Sequence, residues 1–145
     1  LRSSPAQLLK SWYIFWFQLP WLPEAVFRAN DAHTMETMMK RGSQPGTFSE
    51  EDFAHYHEAW RQPGAITAML NWYRAAARLR SQAARIHVPT LILWGMHDIA
   101  LSHPMATASQ AYCDDCQLVW FEEATHWVQH DEPERVSQHL IEFFT

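Results

Sequence analysis

The sequence predicts an α/β fold in which an all-helical segment precedes a parallel βαβ unit and a closing helix. In the first eighty or so residues apolar side chains recur at helical spacing, and in the last sixty short apolar runs alternate with helical patterns. With 145 residues and 48% hydrophobic content, the chain is long and apolar enough to bury a core. We expect a helical domain over residues 1–85 and part of an α/β core over residues 86–145.

Proline and N-cap residues delimit four predicted helices in the first segment. Proline fits the first turn of a helix but breaks its interior. A serine followed by acids, as in Ser49-Glu-Glu-Asp, supplies a cap for the first amides of a helix and charges that suit its dipole. The four helices are expected from Pro5 to Trp16 or Phe17, from Asp31 to Lys40, from Ser49 to the Pro63-Gly64 break, and from Ala65 to about Leu79.

After the helical segment the pattern changes to alternating strands and helices. The run Val88 to Trp94 is short, continuous and apolar, which is typical of a strand buried on both faces of a parallel sheet. A second strand is expected over Gln117 to Phe121, with a crossover helix from about Pro104 to Tyr112 between them. A closing helix follows over Pro133 to Phe144, and Asp131 just before it favours a helix N-terminus. Two parallel strands joined by a helix form a βαβ unit. In such sheets the binding and catalytic residues usually lie beyond the carboxyl ends of the strands.

Composition and charge exclude several classes of protein. A formal net charge of -5 and an isoelectric point near 6 give no basic surface, so we expect no nucleic-acid partner. The stretch SWYIFWFQLPWLPEAVF is rich in tryptophan and phenylalanine, but polar residues and prolines interrupt it well short of the roughly 18 apolar residues of a membrane span. We expect a buried helix there and no transmembrane segment, and a peripheral helix at a membrane interface is the alternative.

The cysteines and histidines do not indicate a metal site. Cys113 and Cys116 form one CxxC pair, without a second pair or a Cys/His set at zinc spacing. Unpaired thiols are typical of a reducing compartment, so we expect a cytoplasmic protein. His126 and His130 are four residues apart, a spacing that can bind a metal from a helix, but no third ligand is evident.

One histidine occupies a polar turn between a predicted strand and the closing helix. In EEATHWVQHDEPERV, His126 follows the second strand, and Asp98 follows the first strand three residues after Gly95. Because the carboxyl ends of neighbouring parallel strands meet at one edge, we expect the two side chains to lie close together. A carboxylate there can accept the Nδ1 proton and leave Nε2 as a general base. A loop histidine can also simply hydrogen-bond backbone, and the residues alone leave both interpretations open.

Four segments in a fixed order resemble the α/β-hydrolase fold family, in its epoxide hydrolase and haloalkanoate dehalogenase branch. SWYIFWFQLPWLPE and PGAITAMLNWYRA resemble the lid, and WGMHDIAL and EEATHWVQHDEPERV resemble the acid and histidine segments. The resemblance covers nearly the whole chain. It implies a partial α/β-hydrolase fold in which residues 1–85 form the helical cap, Asp98 is the catalytic acid and His126 is the catalytic histidine.

The resemblance also implies a two-step hydrolysis that needs no cofactor. An aspartate nucleophile attacks a carbon to form an alkyl-enzyme ester, and the histidine then activates the water that hydrolyses it. In the family the nucleophile and an HGxP-type oxyanion segment precede the lid, where this chain begins. We therefore expect a C-terminal fragment that is inactive by itself, from an enzyme whose substrate is an apolar epoxide or a halogenated compound.

The lid residues distinguish the chemistries within this branch. Its epoxide hydrolases resemble one another in using two lid tyrosines to polarise the epoxide oxygen; Tyr73 matches one, whereas the other falls at Trp16, with Tyr13 one helical turn away. The similar haloacetate dehalogenases hold the halide with a tryptophan N–H, which Trp16 fits, but Phe15 stands where they have a histidine. The resemblance predicts Tyr73, Trp16 and Tyr13 as substrate-binding residues. An epoxide hydrolase, a dehalogenase and a non-catalytic ligand- or partner-binding protein all stay open.

Overall fold

The computed structural model describes residues 5–78 and 84–145 and divides the chain into two compact units. The first unit comprises Leu1–Arg41 and Phe48–Ser81, and the second comprises Gly42–Thr47 and Gln82–Thr145. The described part of the first unit is helical, and the second unit contains a parallel sheet. The domain boundary after residue 85 stays a prediction, and residues 79–83, shortly before it, lie outside the described residues.

Residues 5–78 contain six α-helices, two more than the four predicted, because the first predicted helix is divided and α3 was not predicted. They are α1 (Pro5–Lys10), α2 (Trp12–Trp16), α3 (Leu22–Arg28), α4 (His33–Gly42), α5 (Glu50–Arg61) and α6 (Ala65–Arg78), with a 3₁₀ turn at Ala29–Ala32. The single helix expected after Pro5 is wrong, because Ser11 leaves helical geometry with ψ near 13° and separates α1 from α2. Pro23 lies in the first turn of α3, where proline is tolerated. The expected end of α6 at Leu79 lies outside the described residues.

The predicted start of α5 is confirmed by a reciprocal cap. The Asp52 backbone N–H donates to Ser49 Oγ at 3.1 Å, and the Ser49 backbone N–H donates to Asp52 Oδ2 at 2.8 Å. Both amides would otherwise lack an intrahelical partner. The local sequence therefore fixes where this helix begins.

A charged clamp joins α6 to α2 and α3. The Arg74 guanidinium donates from Nη1 and Nη2 to the two carboxylate oxygens of Glu24, at 2.6 and 3.0 Å. It also donates to the carbonyl oxygens of Phe17 at 2.8 Å and Leu19 at 2.9 Å, just after the end of α2. The hydrogen bonds from Arg74 outweigh the effect of burial and lower the pKa of Glu24. One side chain thus satisfies carbonyls that a helix end leaves without partners.

Aromatic rings surround the residue whose carbonyl Arg74 binds. Phe17 is 4% exposed, and its ring centroid lies 4.9 Å from that of Tyr73 and 5.4 Å from that of Tyr13. Trp16 and Phe27 lie 5.5 and 5.7 Å from the same ring. Edge-on contacts of this kind stabilise a core beyond the area they bury. This cluster forms the centre of the first unit around α2, α3 and α6.

The tryptophan-rich stretch is only partly buried. Phe17 and Phe27 are buried, as the prediction of a buried helix requires, but Trp12, Phe15 and Trp21 are 64%, 66% and 74% exposed. The prediction is therefore wrong for these three rings, because α2 and α3 are short and each buries one side only. Across residues 5–78 and 84–145, no helix combines the length and apolar character needed to cross a bilayer.

The predicted βαβ unit is confirmed in the second unit. Its elements are β1 (Thr90–Gly95), α7 (His103–Gln110), β2 (Cys116–Phe121), α8 (Val128–Asp131) and α9 (Pro133–Phe144). The strands are parallel, with Thr90 opposite Cys116 and Gly95 opposite Phe121. The short helix α8 was not predicted. The register brings the carboxyl ends of both strands to the same edge.

Helices α7 and α9 cover opposite faces of this sheet. Phe121 packs with Val136 of α9, while Trp120, which faces the other way, contacts the His103 ring of α7 at 6.2 Å. Residues Thr90 to Trp94 are only partly buried, so the expectation that β1 is buried on both faces is wrong for the described chain. The sheet has two strands there, and one helix on each face cannot cover them completely.

The clamp predicts a large, specific stability change. Arg74→Met leaves the Glu24 carboxylate, 9% exposed, without its partner, and we expect the free energy of unfolding to fall by about 3 kcal/mol. Urea unfolding followed by tryptophan fluorescence measures it. Arg78→Met, at the exposed end of α6, is the matched control and should stay within about 0.5 kcal/mol of the wild type.

The double variant Arg74→Met/Glu24→Met separates a lost ion pair from lost packing. Because it removes both charges, part of the lost stability should return. Equal losses in Arg74→Met and Arg78→Met would contradict the assignment of the clamp.

Candidate active site

The loops that follow β1 and β2 are held together by a close approach of their backbones. The His97 backbone N–H donates to the Ala124 carbonyl oxygen at 2.9 Å. A Cβ atom on Gly95 would lie 2.0 Å from the Thr125 carbonyl oxygen and 2.6 Å from that of Ala124. Only glycine fits such a contact, and any side chain would displace the loop that carries the histidine.

Asp98 and His126 meet at this edge of the sheet, which confirms the predicted proximity. Asp98 Oδ2 lies 2.9 Å from His126 Nδ1, and Asp98 Oδ1 accepts from the backbone N–H groups of Ala100 at 2.7 Å and Leu101 at 2.8 Å. The Asp98 side chain is 6% exposed, whereas that of His126 is 40% exposed. The buried acid is fixed by backbone amides, and it in turn orients the more accessible imidazole.

The pair shifts the titration of both groups. Burial acts to raise the pKa of Asp98, but the hydrogen bonds from His126 and the backbone amides outweigh it, and that pKa is lowered. The hydrogen bond to Asp98 raises the pKa of His126 above its ordinary 6.5, against the effect of burial. Because an ionised carboxylate only accepts hydrogen bonds, Nδ1 must donate, and Nε2 carries the lone pair of the neutral ring. This is the arrangement of a general base oriented by an acid.

The predicted lid residues lie together in the first unit. The rings of Tyr13 and Tyr73 are 6.0 Å apart and nearly perpendicular. The Trp16 ring contacts the rings of Phe17 at 5.5 Å and Phe27 at 5.7 Å. The structure therefore brings the two tyrosines together, and all three predicted lid residues pack against Phe17.

Several residues that shape the site were not predicted from the sequence. The sequence indicates Gly95 only as the residue near the end of a strand. Arg74 follows Tyr73 in NWYR, without a spacing that indicates its partners. Thr125, just before His126, donates from its backbone N–H and its hydroxyl to Asp131. The partners of Arg74 in α3 and after α2 are fifty or more residues away, so no local pattern reveals them.

The described residues contain no group of three or more histidine, cysteine, aspartate or glutamate side chains placed to bind a metal ion. Cys113 and Cys116 are free thiols, the first buried and the second partly buried.

Comparisons with known proteins connect this geometry to a family. No family model matches the chain. The chain is 43% identical over 141 residues to the AB hydrolase superfamily protein YfhM of Bacillus subtilis, covering 96% of this chain and 49% of that protein. It is 35% identical over 150 residues to epoxide hydrolase 2 of Caenorhabditis elegans, covering 98% of this chain and 42% of that protein. The crystal structure of an epoxide hydrolase from Bacillus megaterium in complex with an inhibitor superposes with a TM-score of 0.85 at 21% identity, over 99% of this chain and 54% of that one.

The fold, the Asp98–His126 pair and these similarities agree. The chain belongs to the α/β-hydrolase fold family. Within that family its sequence is similar to proteins named epoxide hydrolases, such as the Caenorhabditis elegans protein. It spans about half the length of the curated relatives it matches.

The pair predicts a bell-shaped pH dependence of stability. The raised pKa of His126 gives stability that is complete below 6.5 and lost as pH rises through the folded-state pKa. The lowered pKa of Asp98 gives stability that is complete above 3.8 and lost as pH falls through the folded-state pKa. Asp98→Asn removes both contributions, so its destabilisation should be largest between those two values. Urea unfolding of both proteins across this range measures the difference.

Asp115→Asn serves as the control for this experiment, because Asp115 is exposed and precedes β2, at the end of the strand opposite His126. Its difference from the wild type should vary little with pH. A destabilisation by Asp98→Asn that grows above neutral pH would contradict the assignment.

Proposed function

We propose that the protein is the cap and C-terminal core of an epoxide hydrolase that opens its substrate through an aspartyl-ester intermediate. In this proposal the cap domain is residues 1–85 apart from the segment Gly42–Thr47, which belongs to the second unit, and residues 86–145 supply the acid and the histidine. The substrate is an apolar epoxide, and the product is the corresponding diol. The observation that carries the proposal is the 2.9 Å contact between Asp98 and His126 beyond the ends of two parallel strands.

The role of His126 follows from its protonation. The ester formed by an aspartate nucleophile is hydrolysed by a water that must lose a proton, and Nε2 of His126 accepts it. The imidazolium that forms is stabilised by the Asp98 carboxylate, which keeps its own charge because its pKa is lowered. Asp98 thus orients the base and offsets the charge that develops on it.

The role of Tyr13 and Tyr73 follows from the charge that develops in the first step. Opening of an epoxide places negative charge on its oxygen, and two hydroxyl donors aimed at one point stabilise it. The two rings lie 6.0 Å apart, so their hydroxyl groups are candidates to share one oxygen atom. A phenol can also transfer its proton to the alkoxide, which an indole N–H does not do.

A dehalogenase that uses the same ester chemistry is the second candidate. Trp16 carries this alternative, because an indole N–H can hold a departing halide. The packing of Trp16 against Phe17 and Phe27 favours a structural role instead. For the cell compartment we propose the cytoplasm, supported by the free thiols of Cys113 and Cys116.

The coding sequence in frame upstream of Leu1 tests the proposed chemistry first. We expect it to encode an HGxP-type segment followed by an aspartate on a strand-to-helix turn. A serine at that turn would indicate an esterase. A start codon at Leu1 would leave the ester chemistry without a nucleophile and would favour a ligand- or partner-binding protein.

Variants of the lid distinguish the two enzymes in the intact protein. Tyr73→Phe and Tyr13→Phe should each lower kcat for an aryl epoxide about 100-fold, because each removes one donor to the alkoxide. Trp16→Phe should leave epoxide turnover close to that of the wild type. Tyr112→Phe, an exposed tyrosine of the second unit, is the control.

The opposite pattern would favour the dehalogenase. If Trp16→Phe abolishes fluoride or chloride release from haloacetates while both tyrosine variants retain activity, the epoxide proposal is wrong. Steady-state assays with the two substrate classes therefore decide between the candidates.

A further inference from the structure

We propose that Asp131 is a positioning residue that holds His126 in register with Asp98. We assign it no contact with the reacting atoms. It acts on the backbone on both sides of the histidine, and its catalytic consequence rests on the function proposed above. The positioning itself can be measured without any assay of activity.

Asp131 closes a ring of hydrogen bonds around His126. Its Oδ2 atom accepts from the Thr125 backbone N–H at 2.7 Å and from the Thr125 hydroxyl at 2.6 Å. The same hydroxyl oxygen accepts from the Trp127 backbone N–H at 3.3 Å. The Asp131 backbone N–H in turn donates to the Trp127 carbonyl oxygen at 2.9 Å. The residues immediately before and after His126 are thereby tied to one carboxylate.

A separate segment of the chain binds the other oxygen of this carboxylate. Thr47 donates from its hydroxyl to Asp131 Oδ1 at 2.6 Å. Thr47 ends the segment Gly42–Thr47, which begins at the last residue of α4 and precedes α5 but belongs to the second unit. Gln44 of the same segment donates to the Glu123 carbonyl oxygen, and a Cβ on Gly42 would lie 3.4 Å from Trp127 Nε1. The histidine loop is therefore supported from two stretches that are far apart in sequence.

The charge of Asp131 suits this task. Burial acts to raise its pKa, but the hydrogen bonds from Thr125 and Thr47 outweigh it and lower the pKa. An ionised carboxylate accepts these hydrogen bonds at both oxygens, which a neutral amide cannot do. Asp131 was expected only to favour the N-terminus of the closing helix. Its side chain points instead to Thr125 and Thr47.

The test is the pKa of His126, read by NMR from the ring proton and carbon at the ε1 position. The signal is assigned by its loss in His126→Gln, and the intact protein is used. Asp131→Asn should lower the pKa of His126 toward 6.5, because a looser loop weakens the hydrogen bond to Asp98. Thr125→Val and Thr47→Val keep the charge of Asp131 and should shift the pKa in the same direction by less.

A double-mutant cycle separates positioning from a direct effect of charge. In an Asp98→Asn background the hydrogen bond that Asp131 supports is already weakened, so Asp131→Asn should change the pKa of His126 little further. Asp115→Asn removes the same charge at the other end of β2, and Thr107→Val makes the same side-chain change on the exposed face of α7. Both controls should leave the pKa of His126 unchanged.

Two results would overturn the proposal: an unchanged pKa of His126 in Asp131→Asn, or an equal fall in the Asp98→Asn background. If Asp131→Asn does not fold, the pKa of His126 in Thr125→Val and Thr47→Val is used instead, and an unchanged pKa in both would overturn the proposal.

Turnover adds a second readout. Asp131→Asn should lower kcat for an epoxide about 10- to 100-fold with little change in KM, as expected for a misplaced base. An unchanged kcat in an active protein would contradict the positioning role. If the intact wild-type protein hydrolyses no epoxide, the proposed function fails, and the NMR titrations still decide whether Asp131 positions His126.

Discussion

The backbone of the histidine loop lies against Gly95 more closely than any side chain would allow, and the geometry of the second unit depends on this contact. A Cβ atom at Gly95 would lie 2.0 Å from the Thr125 carbonyl oxygen. Asp98 follows three residues after this point on one strand end, and His126 follows directly after Thr125 on the other. The 2.9 Å contact between their side chains is therefore set by two backbones that meet where no side chain intervenes. The parallel register, with Gly95 opposite Phe121, makes that meeting possible.

Both units use charged side chains to bind backbone groups that secondary structure leaves unpaired. Arg74 donates to the carbonyls of Phe17 and Leu19 after a short helix, while Asp98 and Asp131 accept from amides in the loops after the strands. Hydrogen bonds with one charged partner are stronger than neutral ones, and they lose more when a partner is removed. Each charge therefore fixes a loop or a helix end next to a residue of the candidate site. The hydrogen bonds that stabilise these loops and helix ends therefore also position residues of the candidate site.

The sequence predicted the βαβ unit and the Asp98–His126 proximity because both depend on local patterns. Apolar runs identify the strands. Because parallel strands end at the same edge of a sheet, the residues that follow them, Asp98 and His126, are expected to lie close together. It did not predict the break at Ser11, where the chain keeps its hydrogen bond to Gln7 but leaves helical geometry. Nor did it predict the partners of Arg74 and Asp131, which lie up to 84 residues away. Contacts of that range leave no spacing in the sequence, so only the folded chain reveals them.

The proposal of epoxide chemistry over halide chemistry depends on which polar group a packed aromatic side chain can offer to the substrate. Trp16 has Phe17 and Phe27 against its ring, and an indole offers a single N–H with no acceptor. Tyr13 and Tyr73 also pack through their rings against Phe17, but a phenol places its polar group at the tip, beyond the packed ring. Packing against Phe17 therefore orients both tyrosine rings. Since Arg74 follows Tyr73 and binds the Phe17 carbonyl, the clamp lies next to the ring that both tyrosines contact.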